Sequence, residues 1–245
     1  MIVTLHVPVL NELEGMKAIM PKIDPRWVSQ ILVVDGGSTD GTVEWAREQG
    51  YEVYCQKEPG LRYAYIEALP LMRGDVIIGF SPDGNSMPEA IPALVEKMRE
   101  GWDMVVASRY LPPASSHDDD LVTAFGNWFF TRTVNVLYGR DWTDVMVMLR
   151  AYRKQVFYDL NLHLDATYEL AERLFHTKIG IEPLLSVRAA KANLRVTEIP
   201  FDEPVRVSGA RKLQVLRWGA AFYFLFFCER FFRQRPSSER SRAHG

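Results

Sequence analysis

Short apolar runs rich in β-branched residues alternate with longer helical patterns through the first 110 residues of this chain. This alternation is typical of βαβ units, in which helices join the parallel strands of one sheet. The predicted strands are Ile2–Val7, Gln30–Asp35, Glu52–Cys55, Asp75–Phe80 and Asp103–Ser108. The predicted helices between them are Glu12–Met20, Gly41–Gln49, Tyr63–Met72 and Pro88–Glu100. A chain of 245 residues is long enough for one α/β domain of this kind with a smaller C-terminal addition.

The pattern is less regular after the fifth predicted strand. Leu111–Asp120, rich in proline and serine, is predicted to be a flexible loop, and its acidic triplet Asp118–Asp120 is interpreted as a solvated loop face. The remaining predicted elements are helices over Phe125–Tyr138 and Glu182–Ala192 and strands over Val145–Tyr152 and Arg195–Phe201. The α/β pattern thus extends to about residue 201.

An aromatic helix is predicted over Leu213–Phe232, and its central run Trp218–Cys228 contains no charged residue. Eleven helical residues rise only about 16 Å, roughly half the thickness of a hydrocarbon core, so this run is too short to span a bilayer. Three interpretations stay open: the helix lies on a membrane surface, packs on its own domain, or pairs with a second copy in a homodimer.

The charges of the chain are distributed unevenly. The segment from Arg206 to Gly245 holds nine Lys or Arg against two Glu, whereas the rest of the chain is acidic. A basic end favours an anionic partner, either a phosphate group or an anionic membrane surface, and basic residues confined to one end argue against nucleic acid. Two cysteines exclude a disulfide framework, and the N-terminus is interpreted as a buried strand rather than a secretory signal, so we expect a cytoplasmic location.

Asp35 stands at the end of a strongly apolar predicted strand and is followed by Gly36, Gly37 and Ser38. Ligands of open parallel sheets collect at the carboxyl ends of the strands, so this carboxylate is a candidate binding residue. The glycine spacing differs from the G-x-G-x-x-G pattern of dinucleotide sites. A plain tight turn is the alternative interpretation.

A second candidate cluster, Ser81–Ser86, follows the next buried strand. Asp83 and Asn85 offer the hard oxygen ligands that Mg²⁺ or Mn²⁺ prefers, which suits a cation bound to a diphosphate. Pro-Asp-Gly alone is ordinarily a turn. The occurrence of a second carboxylate in the same sheet context as Asp35 favours a site.

Several segments together resemble the family 2 glycosyltransferases. The segments are Val7–Glu12, Val33–Thr42, Gly74–Asp75 with Ser81–Gly84, Ala107–Tyr110, Asp144–Arg153, Glu198–Pro200 and Arg206–Leu213. The resemblance covers about residues 2–213 and implies a GT-A fold and an inverting transferase that uses a nucleotide diphosphate sugar. Within the family, the chain looks most like the polyprenyl-phosphate sugar transferases, such as dolichol-phosphate mannose synthase.

The resemblance also implies roles for individual residues. Residues at nucleotide-binding positions are Pro8, Asn11, Glu12, Asp35 and Asp83. Asp83 matches the last aspartate of the D-x-D element and, with Asn85, is expected to hold Mg²⁺ or Mn²⁺. Arg109 and Asp144 are expected at the reaction centre, and Arg206 and Lys212 at the acceptor phosphate.

Two departures from the family pattern leave alternatives open. Ser81 replaces the first aspartate of D-x-D, so fewer carboxylates hold the cation, and a non-catalytic nucleotide-binding protein is one alternative. Met146–Leu149 replaces a Thr-Ser-Gly-Phe segment with apolar bulk. If the acceptor is a hydroxyl of a glycan or small molecule rather than polyprenyl phosphate, a general base is needed, for which Asp144 is the stronger candidate and Glu182 the weaker.

The predicted organisation therefore has three parts. Residues 1–212 form a GT-A glycosyltransferase domain, residues 213–233 an aromatic helix that contacts a membrane or a second copy, and residues 234–245 a basic, disordered tail. The expected protein is a cytoplasmic transferase, peripheral on the inner face of the membrane.

Overall fold

A computed structural model describes residues 1–207 and 215–231. Lys212, the ends of the predicted helix Leu213–Phe232 and the predicted tail 234–245 lie outside the described residues. The strands are β1 (Val3–Val9), β2 (Gln30–Asp35), β3 (Glu52–Cys55), β4 (Val76–Gly79), β5 (Met104–Ser108), β6 (Arg150–Arg153) and β7 (Val196–Pro200). The α-helices are α1 (Leu13–Ile19), α2 (Thr42–Glu48), α3 (Leu61–Ala68), α4 (Ala90–Arg99), α5 (Leu121–Tyr138), α6 (Lys154–Asp159), α7 (Glu169–Phe175), α8 (Glu182–Lys191) and α9 (Val215–Phe231).

The seven strands form one sheet in the order β3-β2-β1-β4-β6-β5-β7. All neighbours are parallel except β6, which runs antiparallel to both β4 and β5. β1 is buried along almost its whole length between β2 and β4, as expected for a central strand covered by helices on both faces. The predicted mostly parallel α/β sheet is confirmed.

The predicted strand Val145–Tyr152 is mostly wrong. Only Arg150–Arg153 forms a strand, and residues 145–149 form a loop at the sheet edge. The carboxylate of Asp144 accepts hydrogen bonds from the backbone N–H groups of Met146 and Val147, at 3.1 and 3.2 Å. These bonds turn the chain where the continuous apolar run favours an extended conformation.

Several helices also differ from the prediction. α5 begins four residues before the predicted Phe125, since Asp120 and Thr123 form a reciprocal capping box. α3 runs over Leu61–Ala68 rather than Tyr63–Met72. The short helices α6 and α7 were not predicted.

The aromatic helix α9 packs on its own domain, against α5, α7 and α8. Ala221, Phe222, Leu225 and Phe226 are buried in this contact. Glu229 is buried as well, because its carboxylate pairs with Arg188 of α8 at 2.7 Å. One face of α9 is therefore part of the core. For that face, the interpretation that the helix packs on its own domain is correct.

Candidate functional site

The candidate residues lie at one edge of the sheet. Asp35 ends β2, and Asp83 lies in the loop after β4; β1 separates these two strands and runs parallel to both. Because β6 is antiparallel, the loop that precedes it, residues 145–149, reaches the same edge. The edge thus collects the carboxyl ends of the parallel strands and the amino end of the reversed one.

The loops after β1 and β2 are tied together by hydrogen bonds. Asn11 donates its backbone N–H to Ser38 Oγ at 2.8 Å and accepts from the Thr39 N–H at 2.8 Å. The Glu12 N–H donates to Thr42 Oγ1 at 3.0 Å. The two loops that contain predicted nucleotide-binding residues are therefore held together by hydrogen bonds.

The Asp35 carboxylate is buried and holds the turn that follows it. It accepts hydrogen bonds from the backbone N–H groups of Gly37 and Ser38, at 2.9 and 3.1 Å. These contacts match the tight-turn interpretation, and they leave the predicted contact of Asp35 with a nucleotide as a prediction.

The first helix packs directly on the loop that contains Asp83. A Cβ atom on Gly15 would lie 2.5 Å from the Pro82 carbonyl oxygen and 3.1 Å from the Asp83 Cα, so only glycine permits this approach. On its other side, the Asp83 carbonyl accepts the Val207 N–H at 2.8 Å. Val207 thus lies against the loop.

A cavity of about 310 Å³ lies beside this loop. Its polar lining includes Ser81, Asp83, Asn85, Arg109, Asp118, Asp119, Glu182, Asp202, Glu203 and Arg206. Its apolar lining includes Phe130 of α5, Met146–Leu149, Phe201, and Trp218 and Phe222 of α9. The cavity is therefore lined by both charged and apolar side chains, and the helices α5 and α9 supply part of the apolar lining.

Asp118 links the Asp83 loop to Arg206. Asn85 Nδ2 donates to Asp118 Oδ2 at 3.2 Å, and Arg206 Nη2 pairs with the same oxygen at 2.8 Å. This hydrogen bond raises the pKa of the Arg206 guanidinium. The interpretation of Asp118–Asp120 as a solvated face is wrong for Asp118 and Asp119, which are partly buried and bind Arg206 and Tyr110, whereas Asp120 is exposed and caps α5.

Arg109 is held by two carboxylates. Its Nε and Nη2 donate to Asp144 at 2.7 and 3.0 Å, and its Nη1 donates to Glu203 at 3.1 Å. Burial opposes the charge of Arg109, but the Asp144 carboxylate outweighs it and raises the pKa of the guanidinium well above its usual value. Burial would raise the pKa of Asp144, but Arg109 lowers it. Both groups are therefore charged.

The apolar loop Met146–Leu149 is fixed from both ends. Asp144 binds its backbone N–H groups, and the fully buried Arg150 donates to the Val145 carbonyl at 3.2 Å and to the Val147 carbonyl. Ser186 Oγ also donates to the Val145 carbonyl, at 2.8 Å. Charged side chains thus set the shape of the apolar cavity wall.

Glu182 is the weaker of the two general-base candidates that the sequence suggests. It begins α8, lines the cavity and is only 7% exposed. Its carboxylate accepts a hydrogen bond from the Tyr65 hydroxyl, but Oε1 has no hydrogen-bond partner among residues 1–207 and 215–231. Burial raises the pKa of Glu182, and Arg150 opposes that rise. The buried carboxylate therefore offers an acceptor atom to a ligand.

The structure brings only part of the predicted site into the cavity. Asp83, Asn85, Arg109 and Arg206 line it. Asp144 is buried behind Arg109, and its side chain has no exposed surface. The residues outside the cavity lining, at the same edge, are Pro8, Asn11, Glu12 and Asp35.

Few side chains of the predicted site could bind a metal ion. Within the described ranges, no group of three or more His, Cys, Asp or Glu side chains is arranged to hold a metal ion. Asn85 Oδ1 is buried and has no hydrogen-bond partner in this part of the chain, and Asp83 lies two residues away. These two hard oxygen donors fit Mg²⁺ or Mn²⁺.

Known proteins match most of the chain. The family described as glycosyl transferase family 2 matches residues 7–160. Glycosyltransferase AglJ of Haloferax volcanii is 26% identical over 85% of this chain and 65% of its own length, so the chain spans just under two thirds of that relative. The undecaprenyl-phosphate mannosyltransferase of Micrococcus luteus is 27% identical over 88% of this chain and 93% of its own length.

Solved structures share the fold. Glucosyl-3-phosphoglycerate synthase of Mycobacterium tuberculosis, in a complex with Mn²⁺, UDP-glucose and glycerol 3-phosphate, aligns with a TM-score of 0.64 and 19% identity. The alignment covers 94% of this chain and 79% of that structure. The predicted GT-A fold is confirmed.

Proposed function

This chain belongs to glycosyl transferase family 2, and from that premise we propose that it transfers a sugar, with inversion, from a nucleotide diphosphate sugar to polyprenyl phosphate. The observation that supports the proposal is the mixed lining of the cavity, which combines charged side chains such as Asp83, Arg109 and Arg206 with apolar side chains of α5, α9 and residues 146–149. Polyprenyl phosphate has a charged phosphate and a long hydrocarbon chain, so its binding site needs both charged and apolar side chains. The name of the Micrococcus relative supports the same acceptor class.

The donor is proposed to lie against the Asp83 loop. Asp83 and Asn85 Oδ1 would hold Mg²⁺ or Mn²⁺, which would supply positive charge against the diphosphate leaving group. Pro8, Asn11, Glu12 and Asp35 are proposed for the nucleoside, since their loops form one hydrogen-bonded unit at the same edge. The contact between Gly15 and Pro82 joins that unit to the Asp83 loop.

The two arginines of the cavity are proposed to bind phosphate oxygens. Arg206 keeps 22% of its side chain exposed and is held by a single carboxylate, so an acceptor phosphate could compete with Asp118 for it. Arg109 is more enclosed, and Asp144 orients it. We therefore assign Asp144 a positioning role, and Lys212 stays a predicted second cation for the acceptor.

A phosphate acceptor is already an anion and needs no general base, whereas a hydroxyl acceptor does. Glu182 Oε1, which has no hydrogen-bond partner in the part of the chain that the structure describes, favours a second candidate function, transfer to a hydroxyl with Glu182 as the base. Burial raises the pKa of Glu182, and a raised pKa makes a carboxylate a stronger base.

Membrane contact is proposed for the outer faces of α5 and α9. Phe125 and Trp128 of α5 are 61% and 60% exposed, and Phe231 of α9 is 60% exposed. The rings of Phe125, Phe129 and Tyr223 form a continuous stack across the two helices. Of the helices in residues 1–207 and 215–231, none has the length and apolar character needed to cross a membrane.

The test is turnover with defined substrates. The purified chain is incubated with Mn²⁺, UDP- and GDP-sugars and polyprenyl phosphate in detergent, and glycosylated lipid is measured by mass spectrometry. We expect a product with one donor, and about a hundredfold loss of turnover in Asp83→Asn. Asp141→Asn, an exposed aspartate outside the cavity, is the matched control. Absence of nucleotide release with every donor contradicts the proposal.

Glu182→Gln separates the two acceptor classes. The amide keeps the shape of the side chain but cannot accept a proton. With polyprenyl phosphate as the acceptor, we expect the variant to retain most of its turnover. A loss of about a hundredfold or more, together with turnover of hydroxyl acceptors by the unchanged protein, would favour the second candidate function.

A further inference from the structure

A second pocket, which we call the three-helix pocket, lies where the last turns of α5 and α8 meet α9. It has a volume of about 620 Å³. Its polar lining consists of Tyr138, Arg140, Lys191, Asn193, Glu229 and Arg230. None of these residues lines the cavity beside Asp83. The two pockets therefore use different residues of the same helices.

The charge of the three-helix pocket is predominantly positive. Arg140, Lys191 and Arg230 contribute cations, and Glu229 is the acidic side chain of the lining. The Glu229 carboxylate is already bound by Arg188 at 2.7 Å and by Lys191 at 3.2 Å. Arg140 uses one terminal nitrogen to donate to the Ala190 carbonyl and Asn193 Oδ1, at 2.8 and 2.7 Å.

Two buried donors in this pocket lack acceptors. Neither Arg140 Nε nor Tyr138 Oη has a hydrogen-bond partner within residues 1–207 and 215–231. A guanidinium nitrogen can only donate. Burial and the nearby Glu229 raise the pKa of Tyr138 to about 12, so its hydroxyl keeps its proton. Buried donors without acceptors are costly, and the oxygen atoms of an anion would supply acceptors for them.

The pocket also has a defined place relative to the proposed active site. Gly126 and Gly219 border the first cavity, and Tyr138 and Arg230 border the three-helix pocket. The nearest lining residues of the two sites on these helices are seven positions apart, Phe130 and Leu137 in α5 and Phe222 and Glu229 in α9, which is about 10 Å at 1.5 Å per residue. Close to Arg230 in α9 lie the exposed rings of Phe227 and Phe231, which stack on each other.

We propose that the three-helix pocket binds a phosphate ester group, with Tyr138 and Arg140 as hydrogen-bond donors and Arg230 as a further cation. Its ligand chemistry is a phosphate monoester or diester, which a lipid headgroup or a free phosphate can supply. The exposed rings of Phe227 and Phe231, which flank Glu229 and Arg230 in α9, favour the headgroup. The proposal does not depend on which acceptor the first cavity uses.

The experiment compares two double variants of the full chain. Arg140→Gln with Arg230→Gln removes two cations from the pocket. Arg132→Gln with Arg217→Gln removes the same charge from exposed positions on the same two helices, outside the pocket. Affinity is measured by flotation with phosphatidylcholine vesicles with and without phosphatidic acid, and by calorimetric titration with inorganic phosphate.

We expect the pocket variant to bind phosphatidic acid vesicles about tenfold more weakly, and the control variant to change by less than about twofold. An equal loss in both variants overturns the proposal, since diffuse charge would then explain binding. Loss of inorganic phosphate binding with unchanged vesicle binding supports the site and identifies a free phosphate as its ligand. Unchanged binding in both assays overturns it.

Tyr138→Phe gives an independent variant, because it removes one hydroxyl and no charge. We expect a loss of about threefold in phosphate affinity and an unchanged thermal unfolding midpoint. Full affinity in this variant would exclude Tyr138 from the site and overturn the proposed donor pair.

Discussion

Asp144 has no exposed side-chain surface, and its carboxylate holds Arg109 through two charge-assisted hydrogen bonds. At the scale of single residues, this pair shows why a candidate named for catalysis can act through a neighbour. The same carboxylate binds the backbone of Met146 and Val147. The Asp144 carboxylate therefore holds both Arg109, which lines the cavity, and the loop that forms the apolar wall of the cavity.

We expect Asp144→Asn to lower the free energy of unfolding by about 3 kcal/mol, because a buried guanidinium loses a charged partner. Urea denaturation measures the change. Asp141→Asn, three positions earlier and exposed, should change stability by less than about 0.5 kcal/mol. Equal stability of the two variants would show that Glu203 alone can hold Arg109.

His6 predicts a pH dependence of stability. Burial lowers the pKa of His6 to about 3, so the ring is neutral in the folded protein. Because the unfolded chain binds a proton below about pH 6.5, the contribution of His6 is present above that pH and is lost as the pH falls. Between pH 7 and pH 5 the loss is about 2 kcal/mol.

Denaturation of the unchanged protein and of His6→Gln at both pH values tests this expectation. The glutamine amide can still donate to the Ala64 carbonyl that His6 contacts at 3.2 Å. The variant should lose about 2 kcal/mol less than the unchanged protein between pH 7 and pH 5. Parallel losses would exclude His6 as the titrating group.

At the scale of elements, the sequence predicts a strand or helix well where the local pattern decides its conformation. β2 and β3 have the predicted boundaries, because their apolar runs are short and bounded by turn residues. Val145–Leu149 has an equally strong apolar pattern but forms a loop. The side chains of Asp144 and Arg150 bind its backbone, and that arrangement depends on residues brought together only by the fold.

The same distinction applies to the candidate site. The polar residues that follow buried strands, such as Asp83, are visible as motifs and lie in the cavity. Asp118 and Glu182 join them from distant segments, and their contacts with Arg206 and Tyr65 have no local sequence signal. Side-chain pairing across the fold therefore limits what the sequence alone can predict.

The contact between α8 and α9 depends on a buried ion pair. Glu229 accepts from Arg188 Nε and Nη2 at 3.0 and 2.7 Å. We expect Glu229→Ala to lower the free energy of unfolding by about 3–5 kcal/mol, since Arg188 would stay buried without its carboxylate. The neighbouring Arg230→Ala, at an exposed position, should cost less than about 0.5 kcal/mol in urea denaturation. Similar costs would mean that apolar packing alone holds α9.

At the scale of the whole molecule, the sheet order brings the two sequence-predicted carboxylates to one edge, on either side of β1. Asp83 lines the cavity, whereas Asp35 lies outside it and holds its own turn. That both contact one donor molecule stays a prediction, and a structure with bound nucleotide would test it directly.

The membrane contact proposed for the outer faces of α5 and α9 is tested by changing their exposed aromatic residues. Phe125→Ser with Trp128→Ser should weaken binding to anionic vesicles by at least about tenfold, because two exposed rings lose their apolar surface. Leu170→Ser with Leu174→Ser, at exposed positions of α7, is the matched control for a flotation assay. Equal binding of both variants excludes this face. A fall in dimer content at unchanged vesicle binding would support contact between two copies.

The loops at this end of the sheet come from two separate parts of the chain, because β6 is antiparallel and brings the loop before it to the same end as the loops after β1 and β2. The first three strands and their loops come from the N-terminal third of the chain, whereas the loops around the cavity come mostly from residues 81–149 and 182–206. Exchange of the segment 109–149 for that of a relative would therefore replace much of the apolar wall and leave the loops after β1 and β2 intact. Chimeras of this kind offer a route to altered acceptor choice with an unchanged donor.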